Sequence, residues 1–263
     1  MSSKSKVSLW LLLTGVTILT LTCCRTSRES FSGTLVAEKQ VCVLKSFEHL
    51  PEMFCDLYVA IDIPVDCPEY LTDSITVFFN ESLYEFFDNG EDRHLPYSSV
   101  YTSDLKHIAE HYREAYQPYF LPDSTMEHEF NTDCLELKLV AQTDTYVTYE
   151  VNEIFFGEGE EVAVNWVTFA KSDGHRLKSV ISNEDMLRFY RESPRHRNEN
   201  VWLHIQYQLS QGNEVWMGSP TGLLGDSVAH QFQYATGIFE DVKYPMKAIR
   251  PYLSSEAQEM TKQ

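Results

Sequence analysis

The chain has 263 residues and a formal net charge of -18, because 39 Asp and Glu residues stand against 21 Lys and Arg residues. Such an acidic surface repels a phosphate backbone, so we expect no nucleic-acid partner. Hydrophobic residues make up 43% of the chain, with 10 Pro and 11 Gly, and this composition excludes a disordered or collagen-like protein. The length allows one large domain or two small ones.

The N-terminal segment has the layout of a signal peptide. Lys4 and Lys6 form a short basic start, and residues 7–22 are uncharged and mostly apolar up to Cys23 and Cys24. This run is shorter than the roughly 20 apolar residues that a permanent membrane span needs. The sequence therefore predicts that the rest of the chain is exported from the cytoplasm.

The end of the apolar run, Leu21-Thr22-Cys23-Cys24, resembles the bacterial lipobox, in which a Leu and small residues precede a Cys that is acylated after cleavage. We place lipid attachment at Cys24, because this puts Leu21 three positions upstream, and Cys23 is the alternative site. The resemblance implies a signal peptide over residues 1–23 and a lipoprotein of the bacterial cell envelope, anchored in the outer membrane or at the cell surface. An ordinary signal peptide or an uncleaved anchor is the competing interpretation.

The body that follows the signal peptide is strongly acidic. Anionic lipid headgroups repel such a surface, so the acyl chain rather than a basic patch would hold the protein at the membrane. A cationic partner would be steered toward the same surface. We expect the membrane to be one partner, through the acyl anchor.

Four cysteines remain beyond the anchor: Cys42, Cys55, Cys67 and Cys134. An oxidising compartment permits disulfides, and the spacing contains no C-x-x-C pair of the kind that binds zinc. Either two disulfides or one disulfide and two buried thiols fit this count. Cys42 and Cys55 are the first pair to consider, since they lie on two apolar runs that could form a hairpin.

The first part of the predicted fold begins after a polar tether over residues 24–37. Strand-like runs cover residues 41–44 and 57–63. Over residues 70–89 the apolar positions recur at three-residue and four-residue steps, which predicts an amphipathic helix that ends at Asn89-Gly90. A second helix is predicted over residues 104–116.

The middle of the chain changes to a period of two. Alternating apolar residues predict consecutive antiparallel strands, half buried, over residues 135–139, 147–151 and 162–169. Asp173-Gly174 is a tight-turn signal after the third of these strands. Ser182, followed three residues later by Asp185, predicts the start of a helix that ends before Pro194.

The C-terminal part is predicted to hold two more strands and a short helix. Apolar residues alternate cleanly over residues 201–209, which predicts a strand, and a further strand is predicted over 237–244 with a helix over 245–253. Runs of strands and runs of helices indicate an α+β fold with helices packed on an antiparallel sheet. We divide it into an N-terminal part, residues 38–150, and a C-terminal part, residues 151–263.

The sharpest chemical pattern is His107-Ile108-Ala109-Glu110-His111, the H-x-x-E-H form of inverted zinc peptidases. Two His four residues apart on a helix can hold one zinc ion, and the Glu can act as a base. On a helix, however, the three side chains point away from the apolar stripe, and a third ligand such as Glu184 has no supporting motif. We therefore predict no catalytic residues, no metal and no cofactor, with a zinc hydrolase as the alternative.

Two other groups of residues could form sites. Asp226, Ser227 and His230 offer an acid, a nucleophile and a base, but residues so close in sequence are usually polar groups of a loop. Aromatic residues over 112–120, together with Trp202 and Trp216, could stack on sugars, although their spacing is more typical of a core.

The order of elements resembles the PdaC/SigV-type extracellular domain, a family of unknown function in bacterial envelope proteins. The resemblance covers residues 38–255 and includes the turn Lys171-Ser172-Asp173-Gly174-His175-Arg176-Leu177 and the closing Tyr234-Ala235-Thr236-Gly237. The chain departs from the family at Phe156-Gly157-Glu158-Gly159-Glu160, where relatives have Gly-Gly-Ala-His, and after Gly222-Leu223, where their aromatic residues are missing.

Relatives in this family include the outer parts of anti-sigma factors that sense lysozyme, and others accompany peptidoglycan deacetylases. The resemblance implies a non-enzymatic, lipid-anchored binding domain of the cell envelope. Its candidate ligands are a cationic protein such as lysozyme, or cell-wall glycan.

Overall fold

The computed structural model describes residues 31–45, 56–87, 134–156, 160–215, 217, 221–235 and 238–262. The lipid-attachment residue Cys24, the predicted helix over 104–116 and its His107, Glu110 and His111 lie outside these residues. Within them the strands form a five-stranded and a three-stranded sheet, with helices packed against them. The predicted α+β class is confirmed.

The larger sheet has the order β1-β2-β3-β4-β5. Its strands are β1 (Val36–Lys45), β2 (Asp56–Val65), β3 (Cys134–Gln142), β4 (Tyr146–Phe156) and β5 (Glu160–Ala170). All neighbours are antiparallel except β2 and β3, which pair in parallel from Tyr58 to Ile61 of β2. The strand predictions in this region are confirmed, but the sequence pattern predicts an antiparallel sheet, and the parallel pairing of β2 with β3 differs from it. It arises because a long connection that contains a helix separates β2 from β3.

The connecting helix, α1 (Glu69–Phe87), confirms the predicted amphipathic helix. Its apolar stripe is fully buried and consists of Leu71, Ile75, Phe78, Phe79 and Leu83. The stripe packs on one face of the larger sheet, where the Phe79 ring lies 5.3 Å from that of Tyr149 and the Phe78 ring lies 5.7 Å from that of Phe169. This contact forms the first hydrophobic core.

The turn predicted at Asp173-Gly174 is confirmed. Gly174 has a φ of +78°, and a Cβ atom there would lie 2.7 Å from the carbonyl oxygen of Tyr70. Only glycine accepts both this left-handed backbone and this close approach to α1. The chain then returns alongside β5, and Arg176 forms a single antiparallel bridge with Phe169.

Two helices follow the turn, α2 (Asn183–Glu192) and α3 (Glu199–Ser210). The Ser182 hydroxyl accepts a hydrogen bond from the backbone N–H of Asp185 at 3.0 Å, so the predicted cap is confirmed. The helix ends at Glu192, ahead of Pro194, as predicted.

The prediction of a strand over residues 201–209 is wrong, because these residues form most of α3. Val201 and Ile205 are fully buried, whereas Leu203 and Tyr207 are 57% and 61% exposed. The spacing of four between the buried residues is helical, and the Asn198 side chain caps the helix by accepting from Val201 N at 3.1 Å. The alternation in sequence led to the wrong prediction of a strand because Leu203, Tyr207 and Leu209 are apolar residues that lie on the exposed surface of the helix.

The smaller sheet has the order β6-β7-β8 and is antiparallel throughout. Its strands are β6 (Thr221–Leu223), β7 (Ser227–Ala235) and β8 (Ile238–Pro245). The strand predicted over 237–244 is confirmed. Ser227 and His230 belong to β7, and of the three residues only Asp226 lies in the turn before it. The interpretation of Asp226, Ser227 and His230 as polar groups of one loop is therefore wrong. The chain ends with α4 (Met246–Ile249), a 3-10 turn (Arg250–Tyr252) and α5 (Ser255–Met260).

The two sheets meet where β6 crosses β5. A Cβ atom at Gly222 would lie 2.5 Å from both Cβ and Cγ of Trp166, so the glycine allows the two strands to touch. Val164, Trp166 and Ala229 are buried together at this contact. It separates the core under α1 from a second core formed by α2, α3, the smaller sheet and the C-terminal helices.

The domain starts inside the segment that the sequence assigned to the tether. Leu35 is 2% exposed, and its backbone N–H and carbonyl are both bonded to the Gln142 side chain, at 2.8 and 3.0 Å. The buried Lys171 ammonium donates to the carbonyl of Gly33 at 2.6 Å. Two side chains at one end of the sheet therefore hold residues 33–35 in place.

Two of the described cysteines are unpaired. Cys67 and Cys134 are free thiols and half-buried, which excludes the two-disulfide alternative. Cys42 lies opposite Val59 in the β1–β2 register, and Cys55 lies outside the described residues. The Cys42–Cys55 disulfide therefore stays a prediction.

Candidate functional site

The structure describes only some of the sites predicted from the sequence. Cys24 and the His107, Glu110 and His111 pattern lie outside the described residues, so both stay predictions. Glu184 is exposed on the first turn of α2. Within the described ranges, no group of three or more His, Cys, Asp or Glu side chains is arranged to hold a metal ion. The same ranges contain no helix that is long and apolar enough to cross a membrane.

A groove of about 700 Å³ lies beside β5. Its walls are residues 165–168 of β5 and residues 176–183, and Thr221 of β6 lies at its side. The groove opens where the two walls stop pairing. Ala170 N donates to His175 O at 2.9 Å and Leu177 N donates to Thr168 O at 2.8 Å, and beyond these bonds the two chains diverge. We call this feature the β5 groove.

The second wall is held from behind by the C-terminal segment. Ser254 donates from its hydroxyl to Ser179 O at 2.7 Å and from its backbone N–H to Val180 O at 2.9 Å. The hydroxyl of Ser179 in turn donates to Ile181 O at 3.0 Å. Three successive carbonyls of this wall are thus already bonded within the protein. Leu177, Val180 and Ile181 are buried and give the groove an apolar base.

The rim of the groove carries hydrogen-bond donors. Arg176 donates to Glu81 at 3.1 Å and lies 5.3 Å from the centre of the Phe78 ring, and Lys178 and Asn165 are exposed. Among the described residues, none that lines the groove is Asp, Glu, His or Cys. In a protein with such a large excess of carboxylates, this lining is chemically distinct. It can donate hydrogen bonds to acceptor groups of a ligand.

The Asp226, Ser227 and His230 group is not assembled as a triad. His230 is fully buried with its Nδ1 atom 3.4 Å from the Tyr244 hydroxyl, whereas Asp226 is exposed at the β6–β7 turn. Tyr244 also bonds to the hydroxyl of Tyr190. Burial lowers the pKa of His230 to about 4, so the ring is neutral at pH 7.

The indole of Trp202 belongs to the second core. It is stacked on Tyr190 with an interplanar angle of 27°, and the Arg197 guanidinium lies 4.4 Å from its ring centre. Arg197 is itself fixed by a bond from Nη1 to Tyr190 O at 3.0 Å. This packing favours a structural role over sugar stacking. Trp216 and residues 112–120 lie outside the described residues.

Sequence reasoning missed an exposed ion cluster at the turn after β5. His175 contacts Asp173 through Nδ1 at 2.5 Å and Glu256 of α5 through Nε2 at 2.7 Å. Burial lowers the pKa of His175, but the bonds and charges of the two carboxylates outweigh it, and the pKa is raised. Asp173 and His175 could be noted in the turn, but Glu256 is distant in sequence, and only the fold brings it there.

Comparisons with known proteins agree with this fold. No family model matches the chain, and no curated protein matches it. The structure is similar to that of a DUF3298 family protein from Pseudomonas aeruginosa PAO1, with a TM-score of 0.53, 13% sequence identity, and coverage of 86% of this chain and 98% of that one. It is equally similar to a DUF3298 family member from Bacteroides fragilis NCTC 9343, with a TM-score of 0.52, 13% identity, and coverage of 88% and 99%.

At this level of identity the likeness shows a shared fold. Both similar structures belong to a family of unknown function, which is consistent with the kind of family that the sequence resembles. The specific relation to PdaC/SigV-type domains, and the lipoprotein character, stay predictions.

Proposed function

We propose that this protein is a non-enzymatic binding domain of the bacterial cell envelope, lipid-anchored through Cys24, and that the β5 groove is its binding site. The observation that carries the proposal is the groove itself. Its volume of about 700 Å³ is in the usual range for ligand sites, and its lining combines an apolar base with hydrogen-bond donors on the rim.

The ligand candidates are a cationic protein such as lysozyme and cell-wall glycan. The net charge of -18 supports the first, because it would steer a cationic protein toward this domain. The exported, envelope-anchored position inferred from the N-terminal segment is compatible with both.

The test is a binding titration of the full chain in detergent against lysozyme and against purified peptidoglycan, each at low and high salt. We expect saturable binding to one of them. Lysozyme binding that weakens about tenfold or more as salt rises would identify a charge-steered protein partner, since salt screens such attraction. Salt-independent binding to peptidoglycan would identify glycan instead. Binding to neither would contradict the proposal.

The lipid anchor has its own test. Metabolic labelling with a radioactive fatty acid is expected to mark the wild-type chain and the Cys23→Ala variant, and to leave Cys24→Ala unlabelled. Label that is lost only in Cys23→Ala would move the attachment site by one residue, and no label in the wild-type chain would contradict the anchor.

The competing function is a zinc hydrolase that uses His107, Glu110 and His111. It requires both His side chains and a third ligand about 2.0 to 2.2 Å from one zinc ion. Metal analysis of the purified chain with His107→Ala and His111→Ala variants decides the matter. We expect no stoichiometric zinc, and zinc that is present in the wild type and lost in both variants would make the hydrolase the leading function.

A further inference from the structure

We propose that the β5 groove binds an extended peptide segment of its partner, which adds a strand to the outer edge of β5. This inference rests on the proposed function and specifies what the site recognises. It starts from the pairing at one end of the groove, where Ala170 and Thr168 of β5 already bond to the returning chain at His175 and Leu177. The same edge continues along β5 at Trp166 and Val164, because residues two apart face the same edge of a strand.

Beyond the bridge, side-chain amides bond to the edge N–H groups of β5. Trp166 N donates to the Asn165 Oδ1 atom at 2.7 Å, and Val164 N donates to the Oε1 atom of Gln231 from β7 at 2.8 Å. An amide carbonyl is the group that a neighbouring strand would present at these positions. At Val164 the edge is closed by the smaller sheet, because the Gln231 side chain is buried there. At Trp166 the exposed Asn165 side chain stands in for the carbonyl of a missing strand and can be displaced.

Three successive carbonyls of the opposite wall are already engaged. The carbonyls of Ser179, Val180 and Ile181 are bonded to Ser254 or within the wall itself. The geometry points to one-sided addition, in which the peptide bonds to β5 and rests its side chains on the apolar base of the groove. This is the mode by which several peptide-binding domains extend an exposed sheet edge.

The lining favours a peptide over a sugar. Among the described residues that line the groove, Trp166 is the one aromatic. Its ring packs against Gly222 while its Nε1 atom donates to Glu150 at 3.0 Å. A sugar ring would find no free aromatic face for stacking. Arg176 and Lys178 on the rim favour a segment whose own side chains are uncharged or acidic, even where the partner as a whole is cationic.

The probe is a random library of displayed twelve-residue peptides, selected on the full chain in detergent, and chitotetraose is titrated in parallel as the sugar probe. Selected peptides are expected to lose at least tenfold in affinity when alternate amides that would face β5 are N-methylated, because methylation removes the donors and blocks edge pairing. The Asn165→Ala variant removes a competitor for the Trp166 N–H and is expected to bind them several-fold more tightly. The exposed Asn213→Ala variant is the matched control and is expected to bind them as the wild type does.

Three results would overturn the strand-addition proposal: no selected peptide, peptides that are indifferent to N-methylation and to Asn165→Ala, or chitotetraose that binds in the groove. The proposed function can survive any of these. Lysozyme or peptidoglycan binding by the full chain would then persist, and only the proposal that the groove binds a peptide strand would fail. Loss of all binding would remove both.

Discussion

His230 and His175 have pKa values that their surroundings displace in opposite directions. His230 is buried in the second core, where desolvation penalises the imidazolium, and His175 is exposed between two carboxylates that favour it. The two residues therefore link stability to pH with opposite signs. Neither effect is visible in the sequence, because the buried position of His230 and the contact to Glu256 both depend on the fold.

We predict that His230 makes the fold sensitive to acid. Its folded pKa of about 4 is below the ordinary 6.5, so its contribution to stability is complete above pH 6.5 and is lost as pH falls toward 4. The loss amounts to about 3 kcal/mol at about 1.4 kcal/mol per pKa unit. Urea unfolding of the wild type and of His230→Gln at pH 7 and pH 4.5 measures it.

The variant is expected to lose less stability than the wild type over this pH interval. The exposed His196→Gln variant is the control and is expected to follow the wild type. Equal losses in all three proteins would show that His230 is already protonated, or solvated, in the folded state.

For His175 the expected change of stability with pH has the opposite sign. Its pKa is raised, so the stability it contributes is present below pH 6.5 and disappears as pH rises through the raised value. Glu256→Gln removes one of the two carboxylates and is expected to lower the His175 pKa, measured by NMR titration of the ring proton. Glu259→Gln, which changes the carboxylate that pairs with Lys262 on the exposed C-terminal segment, is expected to leave it unchanged. Identical titrations in both variants would contradict the Glu256 contact.

At the scale of elements, α1 and the β3–β5 strands were predictable, whereas α3 was not. In α1 the residues of the apolar stripe from Leu71 to Leu83 have a single helical period and are buried, so pattern and burial agree. In α3 two overlapping patterns are present, and the more regular one in sequence consists partly of exposed residues. The Asn198 cap was the available signal against a strand.

The helical assignment of α3 predicts unequal effects of truncation at alternate residues. Ile205→Ala is expected to lower the free energy of unfolding by about 2 to 5 kcal/mol, because it leaves a cavity in the second core. Leu203→Ala is expected to change it by no more than about 0.5 kcal/mol, because that side chain is mostly exposed. Chemical denaturation measures both, and similar losses would indicate the strand instead, since residues two apart share a face of a strand.

The β5 groove could not be predicted from the sequence, because residues 165–168 and 176–183 become its walls only through the turn between them. Two local signals do point to that turn: Asp173-Gly174, and the stretch from Lys171 to Leu177 that resembles a known family. The hydrogen bond from the Val164 N–H to the Gln231 side chain, in contrast, joins two residues that are 67 positions apart in the sequence. No local pattern encodes such a contact.

At the scale of the whole molecule, the proposed function gives the acidic composition and the groove different steps of binding. The net charge of -18 would act at long range and accelerate the encounter with a cationic protein, while the groove would act at contact. The start of the domain is fixed by Lys171 and Gln142 at one end of the larger sheet. Residues 33–35 are therefore held at a defined end of that sheet.

The central claim is that the protein binds its ligand through the β5 groove, and the most direct measurement compares one substitution in the groove with one outside it. Thr221→Tyr places a large side chain at the groove, and Gln206→Tyr places the same side chain on the exposed surface of α3. Urea unfolding first establishes that both variants are folded, and lysozyme and peptidoglycan are then titrated into each. We predict that the ligand bound by the wild type binds Gln206→Tyr equally well and binds Thr221→Tyr at least tenfold more weakly. Equal affinity of both variants and the wild type would contradict the claim.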